Sequence, residues 1–397
     1  MANPDTTLTI YFCGSGNNLT AYKAHKHAVP QLCKVARNRH IGYDGPGGHN
    51  SNTLVYEMNG NGTFYRNAKG NKVHAGPDKD VEVKSNVGSQ ATGKGANMMI
   101  KKSFEWLWYH CGSPAALMKK PVKTINLCGF SRGSVNAVVA AYFIDAVLKP
   151  RIPNLVVNMF VFDPVKGSGG ANEYNQTYHF DAGFRKYSFP VDIHKLPPVV
   201  QNFKATVAAN MAGTTAGVVS KDWGFQSTLP TQNKTPNYEI VVMPGGHNSG
   251  TKYNLENKGS NMGKIGISMA QEFLSDHGSQ FSANYVMSTR QTIEAYAIAR
   301  NPGRGVKAKD DFAFFDKKGN VKTSKRRAEV AGRYNDWLDH GFFVNNQHAE
   351  ALAKVLPMLA HRLKMGQEIG ANDFNDTQKF TYPETYDALV ATGLLAA

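Results

Sequence analysis

The stretch VKTINLCGFSRGS, Val122–Ser134, decides how this chain reads. Val122–Cys128 has the composition of a β-strand, and a helical pattern covers Val135–Leu148. Between them stands Gly129-Phe130-Ser131-Arg132-Gly133, a G-x-S-x-G. In a strand–turn–helix setting this is the pattern of a nucleophile elbow, a turn so sharp that small residues must flank the serine. The helix expected to start near Ser134 would favour negative charge developing beside Ser131.

Three further segments share that strand character. Leu8–Phe12 is followed by the turn Gly14-Ser15-Gly16-Asn17-Asn18. Asn154–Phe162 is a nearly continuous apolar run, suited to a strand buried on both faces of a parallel sheet. Tyr238–Met243 is the fourth. Helical patterns intervene, notably at Asn97–His110, so the chain reads as α/β with a mainly parallel central sheet flanked by helices. Residues 40–96 read as long loops with a hairpin around Val55–Tyr65, and 166–236 as a cap inserted over the site. A catalytic domain over 1–290 is the expectation, followed over 291–397 by a helical region, either an annex or the last helices of the same domain; the helical patterns are Thr289–Arg300, Arg326–Asp339 and Gln347–Met365.

A nucleophilic serine needs a base, and the base needs an orienting carboxylate. Asp163 ends the apolar run and precedes Pro164, at the sheet edge where such folds place working residues. His247 follows the fourth strand through the turn Pro244-Gly245-Gly246, which completes the chain order serine, acid, histidine. The hexapeptide PGGHNS occurs both there and at Pro46–Ser51, so His49 sits on a similar loop. Its place upstream of Ser131 argues against the base and leaves a surface histidine or, with Gly16, a residue of the pocket rim. Backbone N–H donors for an oxyanion are expected from Arg132 and from the Gly14–Ser15 turn. That turn lacks GxxxxGK[ST], which argues against nucleotide binding.

The 397 residues carry a formal net charge of +15, compatible with an anionic membrane surface or a phosphate-bearing substrate. The basic residues are dispersed except at Lys322–Arg327, and no nucleic-acid module is legible, so no nucleic-acid partner is expected. Four cysteines without metal spacing imply reduced thiols and a cytosolic folding compartment; no cofactor and no metal are expected. The first residues lack the basic and apolar segments of a signal peptide, and no run is long enough to span a membrane.

Taken in order, several motifs resemble a family of α/β-hydrolase domains that includes the phospholipase effectors of type VI secretion. Phe12–Asn17 is similar to its D-G-T-G-N turn, and Tyr43–Gly48 to its tyrosine-glycine loop. Ala91–Trp108 resembles its G-x-G segment leading into an aromatic helix. The G-F-S-R-G elbow is complete at 129–133, Asp163-Pro164-Val165 resembles D-T-V, and Pro244–His247 matches P-G-x-H. The chain departs at Cys13, where the family has Asp, at Pro164, where it has Thr, and after His247, where the acidic continuation is missing. The resemblance implies hydrolysis of carboxylic esters, phospholipids first among them, by Ser131, Asp163 and His247. It also implies delivery by a specialised secretion system and an immunity partner. A soluble carboxylesterase or thioesterase is the alternative enzyme, and a non-catalytic binding protein on the same scaffold is the alternative of another class.

Overall fold

The computed structural model describes residues 3–17, 19, 27–46, 55–59, 62–66, 72–73, 96–118, 121–166, 174–208, 228–231, 235–243, 247, 249–251, 253, 261–288 and 291. The basic run Lys322–Arg327 and the helical region expected beyond 291 therefore lie outside the described residues, as does His49. The chain divides into two compact units. The first holds residues 1–205, 228–239 and 270–284, and the second holds 206–227, 240–269 and 285–397.

Two strands made of residues that bury completely form the centre of the sheet. They are β1 (Thr7–Phe12) and β6 (Thr124–Phe130), paired in parallel with Tyr11 opposite Cys128. On one side β6 pairs in parallel with β7 (Val156–Phe162); on the other, β1 pairs in parallel with β2 (His40–Tyr43). Burial of every residue in these four strands except Val156, at the start of β7, is what a sheet covered on both faces requires. Beyond β2 the sheet turns antiparallel through β3 (Val55–Asn59), β4 (Gly62–Arg66) and β5 (Lys72–Val73), with β3 and β4 forming the expected hairpin. Two more strands, β10 (Val200–Ala208) and β11 (Asn237–Met243), complete a nine-stranded sheet ordered β11-β10-β7-β6-β1-β2-β3-β4-β5. The elbow strand thus lies between the strands that carry the Gly14 turn and Asp163, an α/β-hydrolase-like arrangement.

Helices flank this sheet. From the N-terminus they are α1 (Ala28–Val35), α2 (Ala96–Leu107), α3 (Pro114–Met118), α4 (Arg132–Phe143) and α5 (Asn261–Asp276). α4 is buried at every residue except Tyr142, its polar Arg132, Ser134 and Asn136 included. Phe143 of α4 stacks on Phe104 of α2 at 4.6 Å between ring centroids. A separate hairpin, β8 (Thr177–Asp181) with β9 (Lys186–Pro190), lays Tyr178, Phe180 and Phe189 against these two rings. Of the segment expected as a cap, the described residues thus supply a hairpin on α2 and α4 and a strand of the main sheet. β10 escapes a reading for apolar runs because Gln201, Asn202, Lys204 and Thr206 break up its apolar residues.

A row of amides crosses the first unit. Asn237 donates to Asn202 (2.6 Å), Asn202 to Asn158 (2.6 Å) and Asn158 to Asn126 (2.8 Å), one asparagine from each of four adjacent strands. Asn126 donates onward to the Ser279 hydroxyl (2.9 Å) and the His277 carbonyl (3.0 Å), in the chain that leaves α5. Ser279 meets Thr9 of β1 at 2.8 Å, and Asn38 donates to the same Thr9 hydroxyl. Asn126 and Asn158 are direct register partners, so a slip of one residue would break the row and bury unpaired amides. In the second unit, Met262 and Ile265 of α5 form a small core with Val241, Met269 and Met287, and Tyr253 packs on Tyr285.

Candidate active site

The elbow takes its shape from what surrounds its glycines. A side chain on Gly129 would lie 2.6 Å from the Gly133 carbonyl oxygen and 2.7 Å from the Ser134 Cα. One on Gly133 would strike the Phe12 carbonyl and lie 2.6 Å from that of Cys13, where β1 ends. Ser131 is left at φ 56° and ψ −125°, a backbone region L-residues seldom occupy. Such strain persists only where the surroundings over-determine it, and it concentrates at functional positions. Here the determinants are hydrogen bonds. The Ser131 N–H donates to the Phe162 carbonyl at 3.0 Å, the Ser134 hydroxyl donates to the same oxygen, and the Val165 N–H reaches the Ser131 carbonyl. α4 begins at Arg132, two residues before the expected start.

Asp163 follows Phe162 directly and has the other positive φ among the described non-glycine residues, 36°. It lies on the strand end adjoining that of Ser131, and the bonds just described stitch the two turns together. Beyond it, Pro164 accepts from the Thr228 N–H at 2.7 Å, and the Lys166 N–H donates to the Thr228 hydroxyl at 3.2 Å. Ser131 and Asp163 are both 6% exposed. His247 belongs to the second unit, shortly after β11 ends at Met243, and is buried at 4% exposure.

The turn after β1 is tied to the loop after β2. Gly16 N–H donates to Pro46, Gly45 N–H to Asn17, Asn17 N–H to Gly14, and Cys13 N–H to Tyr43. Gly45 passes so close to the Gly14 carbonyl that a side chain there has no room, and Gly16 takes a φ of 77°. Asp44, almost wholly buried, accepts from the Leu19 N–H at 2.7 Å. Burial, then the nearby Asp44 carboxylate, push the Cys13 thiol well above its usual range, so it stands in the turn as a neutral residue. All four cysteines are free and buried; for Cys111, burial pushes the thiol up to about 12.

Three residues at this edge were not singled out in the sequence for their side chains. Asp44 is one. Arg132 is another: its Nε donates to the Lys166 carbonyl at 3.0 Å and its Nη1 to the Ser15 hydroxyl at 2.9 Å. The third is His27, whose ring stacks on that of Phe130 within the elbow, with centroids 5.7 Å apart. A sequence signal existed for Arg132, the fourth letter of the elbow motif; nothing local marks His27. Among the described residues no group of three or more His, Cys, Asp or Glu could hold a metal ion, and no helix is long and apolar enough to cross a membrane.

No family model and no curated protein matches the chain. The chain is similar to a solved structure of an uncharacterised protein from Pseudomonas aeruginosa, at 13% identity and a TM-score of 0.35. That match covers 98% of this chain and 62% of the other, so the chain spans less than two thirds of that protein's length. It is also similar to the peroxisomal α/β-hydrolase Lpx1 from Saccharomyces cerevisiae, at 12% identity and a TM-score of 0.27, over 72% of this chain and 80% of that one.

Proposed function

We propose that the chain is a serine hydrolase cleaving carboxylic esters, with phospholipids as the leading substrate class. One observation carries this reading: the strained backbone of Ser131, sterically fixed between Gly129 and Gly133 and bonded to the strand end that delivers Asp163. A turn at such a cost in strain, about 1–3 kcal/mol for a residue of this kind, makes sense where a hydroxyl has to be presented.

In the proposed mechanism Ser131 Oγ attacks the ester carbonyl while His247 takes the hydroxyl proton. Asp163 holds the imidazole and stabilises the imidazolium. The oxyanion receives N–H donors from Arg132 and from the Gly14–Ser15 turn. His247 then protonates the leaving alcohol, and water, activated by the same histidine, releases the acid from Ser131. The lipid preference draws on the resemblance of the elbow, Asp163-Pro164-Val165 and Pro244–His247 motifs to phospholipase effectors, and on the net charge of +15.

Labelling with a fluorophosphonate, read by peptide mass, is the direct test: an adduct on Ser131 is expected. Ser131→Ala and His247→Ala should each abolish hydrolysis of short-chain nitrophenyl esters, whereas His49→Ala should retain substantial activity. An inactive His49→Ala beside an active His247→Ala would overturn the assignment of the base. Comparing mixed phospholipid vesicles with soluble esters then separates a lipase from a soluble esterase.

A further inference from the structure

The proposed chemistry uses the backbone of Arg132 and leaves its side chain without a role. That side chain belongs to a residue only 6% exposed, in the first turn of α4 directly after Ser131. A buried guanidinium is costly unless its donors are met. Here two of its arms diverge: Nε goes to the Lys166 carbonyl (3.0 Å), past the Asp163 turn, and Nη1 to the Ser15 hydroxyl (2.9 Å), in the turn after β1. One planar fork thus joins three chain segments that reach the same edge from far apart in sequence. Gly14 of the same turn lies against the Phe130 ring, where a side chain would strike Cδ1.

We propose that Arg132 is a positioning residue: its guanidinium clamps the Gly14–Ser15 turn to the elbow and to the Asp163 turn, fixing the N–H donors supplied to the oxyanion. This rests on the ester-hydrolase reading above. A displaced donor weakens stabilisation of the transition state more than binding of the ground state, so the effect belongs in kcat. Lysine at position 132 keeps the charge but has a single ammonium in place of the fork. Ser15→Ala removes one arm only.

The test combines steady-state kinetics on a nitrophenyl ester with amide hydrogen exchange, using the full chain. Arg132→Lys and Ser15→Ala should each lower kcat by about tenfold to a hundredfold, below the loss expected for deleting a donor outright, with KM changed less than about twofold. The double variant should be no slower than Arg132→Lys alone, because both changes cut the same bond. Exchange at residues 14–17 should quicken about tenfold in both variants, while β6 stays protected. Unchanged exchange at 14–17 in Arg132→Lys would overturn the clamp. Faster exchange with kcat unchanged, beside an inactive Ser131→Ala, would overturn its role in positioning and leave the hydrolase reading standing. Absence of Ser131-dependent hydrolysis in the unaltered protein would instead overturn the hydrolase reading and the catalytic part of this proposal, and exchange would still report on the clamp itself.

Discussion

Ser131 stands where a glycine would rest more comfortably, and that is measurable apart from catalysis. At φ 56° and ψ −125° the Cβ is the source of strain, so Ser131→Ala should lose hydrolysis while its melting temperature barely moves. Ser131→Gly should lose hydrolysis and melt higher. Relief of about 1–3 kcal/mol outweighs the roughly 0.5–1 kcal/mol of added chain entropy that glycine brings. A glycine variant no more stable than the alanine one in a thermal melt would show that the turn is not strained. A second residue-scale expectation concerns pH. His40 of β2 is fully buried, bonds the Asn38 carbonyl through Nδ1 at 2.7 Å and meets the Tyr11 ring edge-on. Burial lowers its pKa; backbone bonds to Asn38 and Cys33 oppose this, and Lys34 adds to it. The unfolded chain binds the proton at about pH 6.5, and the folded chain resists it. The stabilisation is therefore whole above that pH and is lost as pH falls. Urea midpoints should decline from pH 7.5 towards pH 5.5, and less steeply in His40→Asn; parallel declines would remove His40 from the account.

At the scale of elements, the amide row makes interior and edge strands unequal. Asn158→Ala would leave the donor of Asn202 and the acceptor of Asn126 without their partners in the row. Orphaning a buried group costs about 1–3 kcal/mol, in full at the buried Asn126 and in part at the half-buried Asn202, and should be read as a clear fall in the denaturant midpoint. Asn237 sits at the exposed end of the row, and Asn237→Ala should cost under about 0.5 kcal/mol. Equal losses at the two positions would deny the row its structural weight. The elements themselves were unevenly legible. β1, β6, β7 and β11 announce themselves as apolar runs, and the elbow as a local motif, because each signal is complete within a few neighbouring residues. β10 was hidden, since Asn202 and its polar neighbours look like loop until the facing Asn158 is known. Asn158, inside an apolar run, gives no signal of its own for the same reason. Arg132 shows the limit at the site: its letter is in the motif, but its acceptors, on Ser15 and Lys166, are supplied by the fold.

For the whole molecule the net charge of +15 is the property that acts furthest from the site. If phospholipids are the substrate, the Ser131→Ala protein should sediment with vesicles holding about a third anionic lipid and not with neutral ones. Raising the ionic strength from about 0.05 M to about 0.5 M should release it as the screening length shortens. Retention on DNA with the same salt dependence but none on vesicles would redirect the search for a substrate. The amide row adds a consequence for the ageing of the protein. Its donors all run one way, from Asn237 through Asn202 and Asn158 to Asn126 and Ser279. Hydrolytic loss of ammonia from any of these amides leaves a carboxylate with no proton to pass along, and at Asn126 and Asn158 a charge that burial penalises. Spontaneous chemical damage at one asparagine would thus reach two strands at once, and the wet end at Asn237 is where water has the easiest access.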